Sequence, residues 1–139
     1  MISDDQYVVR PIGWVESSLT DPETAPRQGD EQGAPDAWLV FEEGVREGLR
    51  DLRAGTDVIL LTWLDRARRD VLTVHPRTLP ATGVFNTRRP DRPNPVGLHR
   101  VPIVSIEGTR MLVRNLEVLD GTPIVDVKPV RDHNGTTER

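Results

Sequence analysis

The chain contains no cysteine, which excludes a disulfide framework and any thiolate-ligated zinc site. Histidine is scarce as well: His75, His99 and His133 are too far apart for a ligand set, and no His-x-x-x-His pair or carboxylate cluster supplements them. No metal site is expected. No Gly-x-Gly-x-x-Gly follows a strand-like run, so a doubly wound dinucleotide site is not supported. No stretch approaches the roughly 18 consecutive apolar residues that a membrane-spanning helix needs. The first residues, Met1-Ile2-Ser3-Asp4-Asp5, carry neither a positive cluster nor an apolar core of the secretory kind. A cytoplasmic protein without a membrane partner is expected.

What is present is a run of prolines and arginines. Residues 83–97 read Gly-Val-Phe-Asn-Thr-Arg-Arg-Pro-Asp-Arg-Pro-Asn-Pro-Val-Gly. Prolines 90, 93 and 95 fix φ and remove three backbone donors, so the stretch is neither helix nor central strand. Each residue before a proline is pushed towards extended backbone, which restricts where Arg88, Arg89 and Arg92 can point. Apolar residues bracket the run, Val84-Phe85 before it and Val96 and Leu98 after it, and pin it to a core. A stiff frame carrying guanidinium forks suits an anionic or carboxylate-bearing ligand. Arg89, Arg92 and Asn94 are the candidates for substrate contact.

The charge is unevenly distributed. Net charge is −4, yet from Arg66 to Arg100 there are eight arginines against Asp70 and Asp91. A basic segment on an acidic body steers phosphate-bearing ligands; the alternative is a solvated surface whose arginines pair locally with acids.

Alternation and turn residues give the fold class. Tyr7-Val8-Val9 and Ile12-Gly13-Trp14-Val15 read as a strand interrupted at Pro11, and residues 17–35, without a hydrophobic period, read as a long loop. Residues 37–41 are a short strand. Phe41, Val45, Leu49 and Leu52 mark one face of a short helix weakened by Gly44 and Gly48 and ended by Gly55. Residues 57–64 are the strongest strand and 70–75 a second one, predicted to form a hairpin through a turn at 65–70. Residues 98–106 and 109–116 pair around Glu107-Gly108, with Pro102 demanding an edge or a bulge. Asp120-Gly121-Thr122-Pro123 is a tight turn, and residues 124–130 close the sheet. Trp14, Trp38 and Trp63 are expected in the core. The expected class is mainly β, with one short helix and long loops, in one domain over residues 1–130 followed by a polar, disordered tail over 131–139.

The run 83–98, followed by Asp120-Gly121-Thr122-Pro123-Ile124-Val125-Asp126-Val127-Lys128-Pro129, resembles the TsaA-like family of β-barrel methyltransferases. Its best-known members methylate N6 of threonylcarbamoyladenosine at position 37 of tRNA, using S-adenosylmethionine. The resemblance extends from Pro11 to Pro129 and implies a small barrel, a homodimer and an S-adenosylmethionine site. It implies cofactor contacts from Pro26, Arg27 and Gln28, from Arg88 towards the methionine carboxylate, from Leu98 against the adenine, and from Asn115, Leu116 and Glu117 at the adenine edge. Asp65 and Arg66 stand where the family commonly has His-Gln, Glu117 where Asp is usual, and Val130 where an aromatic follows Lys-Pro.

Methyl transfer from a sulfonium is an in-line displacement, so the protein chiefly orients and stabilises. Asp126, a carboxylate between apolar strand neighbours, and Lys128 are the catalytic candidates, Asp126 as acceptor of the proton from the methylated nitrogen. Three readings remain: a methyltransferase acting on tRNA, one acting on a small molecule, and a non-catalytic ligand- or RNA-binding barrel.

Overall fold

The computed structural model describes residues 3–20, 35–75 and 80–131. Eight strands are present among them: β1 Gly13–Glu16, β2 Ala37–Phe41, β3 Asp57–Trp63, β4 Thr73–Val74, β5 Thr82–Gly83, β6 Val96–Glu107, β7 Arg110–Val113 and β8 Pro123–Pro129. Six of them form a ring in the order β1-β2-β7-β6-β3-β8, closed because β8 also pairs with β1. Every pairing is antiparallel. Closure leaves no free edge in this ring, so each main-chain donor row has a partner.

The interior follows from alternation. Along β3 the residues turned inward are Val58, Leu60 and Thr62; β1 gives Val15, β2 Leu39 and Phe41, and β7 Met111 and Val113. The core is almost wholly aliphatic, each such side chain contributing about 2 kcal/mol on burial. The tryptophans are not in it. Trp14 is 40% exposed, and Trp38 and Trp63 sit on the outward positions of β2 and β3, because their strand neighbours occupy the inward phase. The outer faces of these two rings are covered instead by guanidinium groups, Arg110 over Trp38 at 4.9 Å and Arg69 over Trp63 at 5.1 Å.

Three further expectations are corrected. Residues 7–9 are not strand: Tyr7 and Val8 are 87% and 91% exposed, and pairing begins only after Pro11. The helix is a 3-10 helix over Glu43–Leu49 that stops well before Gly55, although Val45, Leu49 and Leu52 do pack on the core as their spacing required. The 57–64 and 70–75 segments do not pair, because both edges of β3 are taken by β6 and β8; β4 pairs with β5 instead.

Pro102 lies inside β6, where the strand passes from pairing with β3 to pairing with β7, and a register shift between Ile103 and Ser105 provides the expected bulge. Gly108 closes the β6–β7 turn with φ 65°, and Gly121 the turn before β8 with φ 85°. Both are turns that need a left-handed residue.

Candidate functional site

In an antiparallel ring, connections alternate between the two ends. The 3-10 segment between β2 and β3 and the β6–β7 turn lie at one end. The three remaining connections, β1–β2, β3–β6 and β7–β8, all leave from the other end. That end therefore gathers the loop whose described ends are 17–20 and Pro35, the proline-rich run, and residues 114–122. These are the three segments singled out from the sequence. They are far apart along the chain and neighbours only because the ring closes.

The β3–β6 connection is a built arm. Its two sides run antiparallel: Leu64 N–H donates to Pro95 O (2.8 Å), Arg92 N–H to Arg68 O (3.0 Å) and Val84 N–H to Leu72 O (2.9 Å), and β4 pairs with β5 beyond them. Asp91 Oδ1 accepts the Arg68 N–H (2.9 Å), while Arg69 donates to Pro93 O (2.6 Å) and Asn94 Oδ1 (2.8 Å). Arg92 Nη1 donates to the carbonyls of Thr87 (3.0 Å) and Arg89 (2.9 Å). Prolines removed the donors of this run, and side chains hold it in place of a ladder. The basic segment of the sequence is thus mostly one arm, carrying Arg66, Arg68, Arg69, Arg88, Arg89 and Arg92, while Arg100 pairs with Asp57 on the barrel wall (2.9 Å).

The guanidinium groups of the arm divide into two sets. Arg69 and Arg92 hold the frame, and Arg68 pairs with Asp70 (3.0 Å), whose carboxyl is held below its ordinary value by that hydrogen bond. Arg66, Arg88 and Arg89 are exposed, and their side chains have no hydrogen bond or ion pair among the described residues. Asn94 Oδ1 and Arg92 Nη1, selected from the sequence for substrate contact, are engaged within the arm. Asp65 is exposed beside Arg66 at the end of β3.

Leu98 is 51% exposed on the outer face of β6. Cross-strand register puts Leu98, Leu61 and Asp126 in one row over β6, β3 and β8, and Arg100, Ile59 and Lys128 in another. Asp126 and Lys128 form an ion pair at 3.3 Å with both side chains about half exposed, and Asp126 Oδ1 also accepts the Val127 N–H (2.9 Å). On the β7–β8 connection Asn115 takes φ 59°, which turns the chain so that Leu116 enters the core, its N–H bonded to Pro35 O (3.0 Å). Glu117 beside it is partly buried. The following turn is docked on β1 and its sequel: Asp120 Oδ1 accepts the Ser17 N–H (2.9 Å) and Gly121 N–H reaches Val15 O (2.7 Å). Pro26, Arg27 and Gln28 lie outside the described residues, as does the expected tail beyond Arg131.

The model for the tRNA-methyltransferase O N-terminal domain matches residues 14–133. The chain belongs to that family. The TsaA-like resemblance drawn from residues 83–98 and 120–129 is thereby upheld. Among family relatives, the S-adenosyl-L-methionine-binding protein of Archaeoglobus fulgidus is 41% identical over 122 residues, 87% of each chain. A probable S-adenosyl-L-methionine-binding protein of Methanothermobacter thermautotrophicus is 38% identical over 129 residues, 92% of this chain and 93% of that one. The crystal structure of TrmO from Pseudomonas aeruginosa superposes with a TM-score of 0.75 at 28% identity, over 96% of this chain and 60% of that one. The chain thus spans about three fifths of that solved family member.

Two features of this family member were not legible as site elements in the sequence. Arg69 carries no motif signal, yet it clamps the proline run from the opposite side of the arm. Thr62, fully buried, meets His99 Nε2 at 3.0 Å inside the barrel end from which the arm leaves. His99 faces inward, and burial lowers its pKa from 6.5 to about 4. Gly97 makes the room: a Cβ there would overlap Thr62 Oγ1 and come within 2.8 Å of His99 Nε2. A cleft of about 590 Å³ lies at the same end, between Glu16, Asp36, Trp38 and Asp120, and among the described residues none of the sequence-selected ligand residues lines it. Among the described residues no group of three or more His, Asp or Glu is arranged to hold a metal ion, and no helix is long and apolar enough to cross a membrane.

Proposed function

We propose that this chain is an S-adenosylmethionine-dependent methyltransferase whose acceptor is N6 of threonylcarbamoyladenosine at position 37 of tRNA. The observation that carries this reading is the convergence of the proline-rich arm, residues 114–122 and the described ends of the 17–36 connection at one barrel end, with Arg88 exposed on a stiff arm. The residues fit the cofactor's chemistry. Its carboxylate calls for a fork of donors, which Arg88 offers; its adenine calls for an apolar wall, which Leu98 offers, and for edge contacts, which Asn115 and Glu117 offer on either side of the core-facing Leu116. Asp65, Arg66 and the Pro26-Arg27-Gln28 segment complete the set by family resemblance. The cofactor, when bound, supplies the activated methyl group.

The chain's own groups then bind, orient and take up a proton. Arg89 attracts the acceptor's phosphates, while Arg92 and Asn94 keep the arm in shape for contact with it. Asp126 accepts the proton released from the methylated nitrogen, and Lys128 at 3.3 Å orients that carboxylate. Residues 1–130 act as one domain, as a cytoplasmic homodimer. The exposed apolar positions Val96 and Leu98, together on the outer face of β6, support the second copy. Sedimentation equilibrium should then give twice the 15.6 kDa chain mass; a monomer at micromolar concentration speaks against it.

Calorimetric titration of S-adenosylmethionine tests the central reading. Micromolar binding is expected for the wild type, weakened about tenfold or more in Arg88→Ala, the scale of a lost charge-assisted bidentate contact. Methyl transfer to threonylcarbamoylated tRNA follows as the second measurement. A folded wild type that binds no cofactor, or an Arg88→Ala variant that binds as tightly, contradicts the assignment.

A further inference from the structure

The arm carries an aromatic side chain that the cofactor reading leaves unused. Phe85 is 76% exposed, and Leu72, on the facing side of the arm, is 58% exposed. Large apolar side chains at such exposure gain nothing from folding. Yet the backbone beneath Phe85 is firmly set. Val84 is buried, its N–H bonds Leu72 O, and its carbonyl accepts both the Thr87 N–H (3.0 Å) and the Thr87 Oγ1 hydroxyl (2.7 Å). The ring is held out on a stiff 3-10 turn over Val84–Asn86.

Its surroundings indicate the partner. Arg89 follows four residues on, exposed and without a side-chain partner among the described residues. A protein partner would favour a patch with few charges at its centre. An aromatic face beside an unneutralised guanidinium group is instead the complement of an unstacked nucleobase with its phosphate.

We infer that Phe85 is a stacking platform for an unpaired base of the RNA acceptor, with Arg89 on a flanking phosphate. This rests on the tRNA reading above and adds to it a residue that selects single-stranded over duplex RNA.

The test uses the full chain with S-adenosylmethionine and an RNA hairpin with a seven-nucleotide loop carrying 2-aminopurine, beside a duplex RNA of equal length. Phe85→Ala should weaken hairpin binding about tenfold, the scale of one lost base–aromatic stack, and Phe85→Trp should restore it. Duplex binding should be the same in all three proteins. The slope of log affinity against log salt should be unchanged by Phe85→Ala and reduced by about one in Arg89→Ala. Equal hairpin binding by wild type and Phe85→Ala, or equal losses on hairpin and duplex, overturns the stacking role while leaving the acceptor assignment intact if wild-type methyl transfer to threonylcarbamoylated tRNA is seen. A wild type that binds neither RNA overturns the stacking role, and with no methyl transfer to threonylcarbamoylated tRNA it overturns the acceptor assignment as well.

Discussion

Replacing Gly13 by alanine should lower stability by about 3 kcal/mol or more, and the midpoint of thermal unfolding by about 10 °C. Gly13 sits in β1 between Phe41 of β2 and Ile124 of β8, and a Cβ there would overlap the Val40 carbonyl oxygen and lie 2.9 Å from Phe41 Cα. Both obstacles are main chain, so no rotamer change relieves them. The β1–β2 ladder, one seam of the closed ring, has to shift. Gly48 provides the contrast. It lies in the 3-10 segment, and a Cβ added to it would meet nothing within 4 Å. Gly48→Ala should therefore be neutral or stabilising by a few tenths of a kcal/mol, chiefly by restricting the unfolded chain. Differential scanning calorimetry of the two variants separates crowding from glycine's generic flexibility; similar changes in both would refute the crowding argument.

Acid sensitivity originating in His99 should be the second large effect. Its folded pKa, about 4, lies below the unfolded value near 6.5 because burial penalises the imidazolium. Between these values the unfolded chain binds the extra proton, so stability must rise with pH through this window. The contribution is fully present above about pH 6.5 and is lost as pH falls towards 4, a change of about 3 kcal/mol by the usual conversion of pKa difference to free energy. His99→Gln removes the titration while an amide can still meet Thr62 Oγ1. Urea unfolding of both proteins at pH 7 and pH 4 should show their stability difference moving by about that amount in favour of the variant at the lower pH. Parallel profiles would sink the idea, since the carboxylates that also destabilise the acid form are common to both proteins.

Both effects depend on residues, a glycine and a histidine, whose importance no periodicity shows. In the 83–97 run, Gly97 is one residue of a motif; only the register of β3 against β6 reveals that it faces Thr62 and that His99 lies next inward along the strand. The tryptophans make the same point in reverse. Their size argues for the core, but strand phase is a tertiary matter, fixed by which neighbours the ring turns inward, and Arg69 and Arg110 cover the outward rings from positions distant in sequence.

The class of the fold and the rigidity of its central loop are written locally in the chain. Alternating apolar residues at 37–41, 57–63 and 110–113, turn glycines at 108 and 121, and prolines 90, 93 and 95 act through backbone dihedrals and local period, which need no partner to be expressed. The family is legible there too, because the long Pro/Arg run and the Asp-Gly-Thr-Pro turn are irregular strings held in one order. Strand pairing is different in kind: an edge can be used once. The apparent 65–70 hairpin was lost because β6 and β8 took both edges of β3, and no local pattern reports that competition. Likewise only ring closure decided that the 17–36, 64–95 and 114–122 connections emerge at one end, and only the folded arm sorted its arginines into those that tie its two sides together and those left facing solvent.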